Sequence, residues 1–258
     1  DPCPLHQFVM PGQAPARVVV VGASGFVGGA IVNLASSRRL CGRIASVLGV
    51  SRSGTAAAHP SPLSDARSDV STTYLALDVL APRGNDELAS ALEGATAVIV
   101  SVGFAPLPFV AYDKQVRMNG ESNKRVLEAA ATAKVPRAVL VNAAMAEPLV
   151  SLGVVPRGYY DGKMMAREAA RAFVDAEPAT RSAAVLKPGP IHGWRAVAPG
   201  VALPLSAAMV PAETVLRAVA SPGSTLADLT PVSVSRVAEV AIEQATRDGV
   251  TGYEEFAL

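Results

Sequence analysis

Charge of either sign is scarce in this 258-residue chain. Its 23 lysines and arginines stand against 22 aspartates and glutamates, a net charge of +1, and charged residues make up 17% of the total. Nucleic-acid phosphates are bound by clustered cations. The densest basic pair, Arg38-Arg39, reads as the charged end of a helix, so nucleic acid is excluded as the main partner. The two cysteines, Cys3 and Cys41, have neither metal nor redox spacing, which predicts a reducing compartment and ordinary packing. His6, His59 and His192 are widely separated in sequence, and no metal is expected. No apolar run reaches the roughly 18 residues of a membrane span, so no transmembrane segment is expected. The chain opens at Asp1 rather than methionine, which predicts a mature or trimmed product whose targeting peptide is out of sight. Residues 1–15 carry four prolines and read as an irregular lead-in. Half of the residues are apolar, enough for one large core over 16–258.

What is abundant comes first at Val18–Gly28, Val-Val-Val-Val-Gly-Ala-Ser-Gly-Phe-Val-Gly. A β-branched run, three glycines at 22, 25 and 28, and an amphipathic stretch predict a buried strand, a tight turn and a helix start. Gly22 permits the turn, Gly25 lets the backbone approach a phosphate, and Gly28 lets the helix pack closely. Backbone amides and the positive end of a helix dipole converge there, so the chain is read as a dinucleotide binder. The helix buries Val27, Ala30, Ile31, Leu34 and Ala35 on one face.

Further strands are expected at 44–50, 74–77, 97–102, 138–141 and 183–186, and helices at 86–92, 113–133 and 159–174. A last helix, capped at Ser235, turns Val237, Val240, Ala241 and Ala245 inward. Residues 51–73 read as a loop. Continuous apolar strands alternating with amphipathic helices predict a doubly wound parallel α/β sheet, the Rossmann architecture, with a small C-terminal cap mainly in 191–233.

The second strand ends at Ser51-Arg52-Ser53 where an acid would grip a ribose 2′-hydroxyl. A guanidinium between hydroxyls receives a 2′-phosphate instead, so NADP(H) is favoured over NAD(H). Asp78 fits two roles, acceptor for the adenine amino group or helix-cap aspartate. Tyr159 and Lys163 lie four apart on one helix, so both emerge on one face. In a nucleotide enzyme the lysine would hold the nicotinamide ribose and lower the phenol's pKa, and the tyrosine would donate a proton.

These features resemble the short-chain dehydrogenase/reductase superfamily, in its atypical or extended branch, over nearly all of 16–258. The carrying motifs are Gly22–Gly28, Ser51-Arg52, Asp78, Asn119-Gly120, Tyr159–Lys163 and the run Leu186–Gly193. Arg157–Lys163 and Lys187–Arg195 are similar to a plastid and mitochondrial subgroup. That subgroup includes a coenzyme Q biosynthesis protein and the nucleotide-holding accessory subunit of respiratory complex I. The resemblance implies that Gly22, Ser24, Gly25, Phe26 and Val27 line the pyrophosphate and Arg52 the 2′-phosphate. It implies Ser101, Val102 and Gly103 beside the ribose and adenine, Lys163 on the nicotinamide ribose, and Pro188, Gly189 and Ile191 at the carboxamide. One departure stands out. The family's reductases place a serine after the fifth strand, where this chain runs Val-Asn-Ala-Ala-Met over 141–145. Ala144 takes the serine's position, and losing such a donor costs on the order of 10²–10³ in rate. Asn142 stands out of register as a substitute.

His192 reads as a structural loop histidine ahead of a catalytic one, and Trp194 and Arg195 are candidates to wall the pocket. Residues 197–220 carry Val201, Leu203, Leu205, Met209, Val210, Val215, Leu216 and Val219, matching either an ordinary cap core or a surface for a protein, a membrane or an isoprenoid. The resulting expectation is an NADP(H)-holding accessory or assembly subunit of an organellar membrane complex, in the mitochondrion or, as the alternative, the chloroplast. The competing expectation is an NADPH-dependent oxidoreductase acting on an apolar carbonyl or quinone-related substrate.

Overall fold

Alternate residues of a strand face opposite sides of its sheet, and a strand apolar at every position must be covered on both. Val18, Val19, Val20 and Val21 obey this rule, being at most 1% exposed. Val18 and Val20 enter the core on one face, Val19 and Val21 the core on the other. The computed structural model describes residues 14–37, 40, 42–57, 70–145, 147–198, 201–221, 224, 226 and 229–258. The expectations for Cys3, Cys41, His6, His59, Arg38-Arg39 and most of the lead-in fall outside those residues.

In chain order the elements are β1 (Ala16–Val21), α1 (Phe26–Ala35), β2 (Ile44–Ser51), β3 (Ser71–Ala76), α2 (Gly84–Leu92) and β4 (Ala97–Val100). Helix α3 follows, running from Tyr112–Val116 through a π-helical turn at Arg117–Glu121 into Ser122–Thr132. Then come β5 (Arg137–Val141), α4 (Glu147–Ser151), α5 (Arg157–Asp175), β6 (Ser182–Lys187), β7 (Ile191–His192), β8 (Trp194–Ala198) and β9 (Val201–Pro204). The chain closes with α6 (Ser206–Val219), β10 (Val232–Ser233), α7 (Val234–Ala245) and β11 (Gly252–Ala257).

The main sheet has seven strands in the order β11-β6-β5-β4-β1-β2-β3, and every pairing in it is parallel. Helices α1 and α7 pack together over one face, and α2, α3 and α5 cover the other. The chain moves outward from β1 through β2 to β3, then returns to β4 on the far side of β1. That reversal opens a crevice at the carboxyl ends of β1 and β4, where ligands of doubly wound sheets bind.

Two expectations are corrected. The six strands read from the sequence become seven in the main sheet, because β11 pairs with β6 along its whole length. The last helix is capped by Ser233, whose Oγ accepts the Arg236 N–H at 3.2 Å, not by Ser235. The cap contains the antiparallel pair β8–β9 and helix α6, with β10 pairing back to β7.

Candidate functional site

Strand β1 delivers the chain into the crevice through its three glycines. Gly22 has φ +95°, and a Cβ there would lie 2.7 Å from the Ser101 carbonyl oxygen. A Cβ on Gly28 would lie 2.1 Å from the Gly22 carbonyl oxygen, so α1 starts this close to β1 only with glycine. At Gly25 a Cβ would meet only the Gly22 oxygen, at 3.1 Å. Gly25 instead borders open space, in both cavities of the crevice. The first turn of α1 has no side-chain cap and no acidic residue, which leaves its dipole free to attract an anion.

The smaller cavity, about 180 Å³, is lined by Gly22, Ser24, Gly25, Arg52, Asp78, Ser101, Val102 and Gly103. Arg52 is exposed. Beside it a hydroxyl chain runs from Ser51 Oγ to Ser53 Oγ at 3.3 Å and on to Thr55 Oγ1 at 2.9 Å. Asp78 takes one of its two expected placements and not the other: helix α2 begins at Gly84 without a side-chain cap, so Asp78 is not a helix cap. It lines the cavity, and its Oδ1 accepts the Leu80 N–H at 3.0 Å in the turn that follows β3. Met118 and Ser122 of α3 complete this end; the sequence reading missed both, since they belong to a helix distant from the glycine turn.

The larger cavity, about 530 Å³, is bounded by Phe26, Val27, Ser101, Val102, Gly103, Tyr159, Lys163, Pro188, Gly189 and Ile191. Lys163 is 5% exposed, and among the described residues its ammonium makes one long hydrogen bond, 3.4 Å to the Val141 carbonyl oxygen. Burial lowers its pKa to about 8. The Nζ lies 5.8 Å from the centroid of the Tyr159 ring. The expected lowering of the phenol's pKa is absent, because burial pushes Tyr159 up to about 12. The cause is withdrawal of the phenolate from water.

Ala144 faces this cavity and donates its N–H to the Pro188 carbonyl oxygen at 2.8 Å. Asn142 is no substitute for the missing serine. Its Nδ2 donates to the Lys163 carbonyl oxygen at 3.0 Å and its Oδ1 accepts the Ala143 N–H at 3.0 Å, so the amide fastens α5 to the end of β5. His192 is 4% exposed, with Nε2 2.7 Å from Glu213 Oε2 and Nδ1 3.3 Å from Ser206 Oγ. It ties the cap helix to β7. Trp194 is 53% exposed on the cap hairpin and is absent from the cavity wall, contrary to expectation.

The sequence reading also missed Phe104, Ala105, Pro106, Met145, Leu149 and Leu229, all of which line the larger cavity. The first five follow β4 and β5, and their only signal was position, just past a strand's carboxyl end. Leu229 had none, since it reaches the cavity on the return from the cap.

These residues fit a dinucleotide. A glycine cradle meets an uncapped helix start, hydroxyls and a guanidinium stand at one end, and a buried, under-bonded ammonium stands at the other. A sequence model of a family described as NAD(P)H-binding matches residues 22–248. An uncharacterized chloroplastic protein of Arabidopsis thaliana is 32% identical over 240 residues, spanning 90% of this chain and 72% of that protein. Among solved structures, MoeE5 in complex with UDP-glucuronic acid and NAD is similar, with a TM-score of 0.60 and 22% identity over 93% of this chain and 75% of that one. The UDP-N-acetylglucosamine 4-epimerase of Methanobrevibacter ruminantium M1 has a TM-score of 0.62 at 14% identity, over 95% of this chain and 77% of that one. The dTDP-glucose 4,6-dehydratase DesIV of Streptomyces venezuelae, with NAD bound, has a TM-score of 0.58 at 16% identity, over 94% and 76%. At these identities the likeness to the solved structures is one of fold.

Proposed function

The chain belongs to the NAD(P)H-binding family that its residues 22–248 match, and from that premise we propose that it holds NADP(H) with little turnover, as an accessory or assembly subunit of an organellar membrane complex. The observation that carries the low turnover is Ala144 facing the larger cavity while the Asn142 amide is spent on the Lys163 carbonyl. A carbonyl oxygen brought to Tyr159 finds a methyl at position 144 in place of a serine hydroxyl, a loss on the order of 10²–10³ in rate. A phenol held near 12 donates a proton less readily than one lowered by a lysine.

When bound, the cofactor's nicotinamide supplies or takes a hydride. The chain's own part is to bind and orient. The glycine turn and the first turn of α1 would receive the pyrophosphate, Lys163 the ribose hydroxyls, and Arg52 with Ser51 and Ser53 a 2′-phosphate. The choice of NADP(H) is supported by an exposed guanidinium and hydroxyl chain in place of a carboxylate. The organelle is supported by the chloroplastic relative, which favours the chloroplast over the mitochondrion. Trp194, Leu203, Val215 and Val219, each about half exposed or more on the cap, support contact with a protein or a membrane.

Equilibrium titration with NADPH and NADH, followed by NADPH consumption against a panel of quinones and ketones, tests the reading. Binding that favours NADPH, loss of that preference in Arg52→Ala, and near-background consumption that rises in Ala144→Ser are expected. Consumption at ordinary reductase rates, abolished by Tyr159→Phe, would overturn it. That result would establish the second reading, an NADPH-dependent oxidoreductase for an apolar carbonyl or quinone-related substrate. One observation favours this alternative: Ser101, Asn142, Tyr159 and Lys163 supply the only polar side chains among the described walls of the larger cavity.

A further inference from the structure

Helix α3 carries three carboxamides four residues apart, Gln115, Asn119 and Asn123, none more than 1% exposed. In an unbroken α-helix such residues drift around the axis by about 40° per step. The wider π turn at Arg117–Glu121 opposes that drift and keeps the three in line. Asn123 Nδ2 donates to the Asn119 carbonyl oxygen at 2.7 Å, and Asn119 Nδ2 to that of Gln115 at 3.0 Å.

The row faces one strip of backbone, the segment that leaves β4. Asn123 Nδ2 donates to the Val102 carbonyl oxygen at 3.1 Å, and the Phe104 N–H donates to Asn119 Oδ1 at 2.8 Å. Gln115 reaches farthest. Its Nε2 donates to the Leu107 carbonyl oxygen at 3.2 Å and to that of Val110 at 2.8 Å. The strip has no strand partner, and its other backbone bonds are internal, Leu107 N–H to Ala105 O and Val110 N–H to Leu107 O. Phe104, Ala105 and Pro106 of this strip form one wall of the larger cavity. Gln115 Oε1 is buried and has no partner among the described residues, a desolvation cost that a leucine would avoid. The two donor bonds are what the glutamine contributes in return.

We infer that Gln115 is a positioning residue: its carboxamide clamps residues 104–110 as a fixed wall over the nicotinamide end of the crevice. This rests on the reading that the crevice holds a dinucleotide. Asn119 and Asn123 hold the root of the wall, and Gln115 holds its far end. With the Gln115 clamp released, the adenine end keeps its shape, because the β1 and β2 turns are untouched and its Val102 edge is still held by Asn123. The space between residues 104–106 and Lys163 loses its definition.

Gln115→Met keeps the volume and removes the donors. Amide hydrogen exchange over 103–110 is followed in the wild type and the variant, together with the affinities for NADPH and for 2′,5′-ADP, which fills only the adenine end. In the wild type the Phe104, Leu107 and Val110 amides exchange slowly. In the variant, exchange at Leu107 and Val110 rises about tenfold or more. NADPH affinity falls about tenfold while that for 2′,5′-ADP stays within roughly twofold. Fast exchange in the wild type overturns the inference even if the variant does not fold. So do unchanged exchange in a folded variant and an equal loss for both ligands. A wild type that binds neither ligand sinks the dinucleotide reading instead, and the exchange measurements then still decide the clamp.

Discussion

Lys163 is a cation kept where water barely reaches, with a single long hydrogen bond among the described residues. Burial lowers its pKa from 10.5 to about 8, so the folded chain holds this proton less tightly than the unfolded chain. Its contribution to stability is therefore fully present above pH 10.5 and is lost as pH falls through about 8. The full shift corresponds to about 3 kcal/mol. Lys163→Met is expected to stabilise the unliganded fold at pH 7 by up to about that amount, with the gain shrinking between pH 8 and pH 10.5. Urea unfolding of both proteins at pH 7 and pH 10 measures it. The same variant should lose nucleotide affinity, as expected of a group placed for a ligand at the expense of the fold. Residue by residue, Tyr159, Lys163 and the vacant hydroxyl at Ala144 were legible, because four-residue spacing on a helix and register after a strand are local properties. The raised pKa of Tyr159 was not, since it depends on walls brought in from elsewhere in the chain.

At the scale of elements, the turn from β1 into α1 separates two uses of glycine. A methyl at Gly28 collides with the Gly22 oxygen at 2.1 Å and the Ser101 Oγ at 2.6 Å. Gly28→Ala is therefore expected to lift α1 and cost about 3 kcal/mol. Gly25→Ala leaves a 3.1 Å contact that a few tenths of an ångström relieve. It should cost under about 1 kcal/mol and still abolish nucleotide binding, because its methyl enters the crevice. Thermal unfolding alongside NADPH titration distinguishes the two. Strand β11 is a second case. Its sequence, Gly-Tyr-Glu-Glu-Phe-Ala, lacks the continuous apolar run of the central strands, because it lies at the sheet edge with a neighbour on one side. Glu255 anchors it, within 2.6 Å of Arg167 Nη2, 2.6 Å of the Tyr253 hydroxyl and 3.0 Å of Lys187 Nζ. Burial pushes the Glu255 pKa up, and the bonds from Tyr253, Arg167 and Lys187 together overcome it and hold the carboxyl at about 2. Its stabilisation is present above pH 4.5 and is lost as pH falls towards 2. Partial exposure reduces the effect to about 1–2 kcal/mol. Glu255→Gln should lower the unfolding midpoint at pH 7 and make little difference near pH 2, measured by denaturant titration at both.

Across the whole molecule, a seven-stranded sheet carries a cap joined to it near His192, whose ring bonds Glu213 and Ser206. His192→Leu removes both bonds from a buried position. Limited proteolysis within 193–231 should accelerate about tenfold while the sheet unfolds at nearly the same temperature. Equal destabilisation of cap and sheet would mean that the two form one cooperative unit. The apolar outer surface of the cap, with Val215 61% and Val219 62% exposed, belongs to this scale too. It was legible as an excess of apolar residues and not as a surface, since composition does not say which side faces inward.

The amino-acid sequence alone determined the strand and helix succession around β1, the three-glycine turn from β1 into α1 and the Tyr159–Lys163 face. Each follows from contacts within a few residues, where periodicity and backbone sterics act. The tertiary structure alone decided the seventh strand, the state of Tyr159, the engagement of Asn142 and the clamp at Gln115. Those depend on burial and on partners that approach only when the sheet closes, as Gln115 meets Val110 and Asn142 meets Lys163. Dielectric surroundings and hydrogen-bond satisfaction are properties of the packed whole.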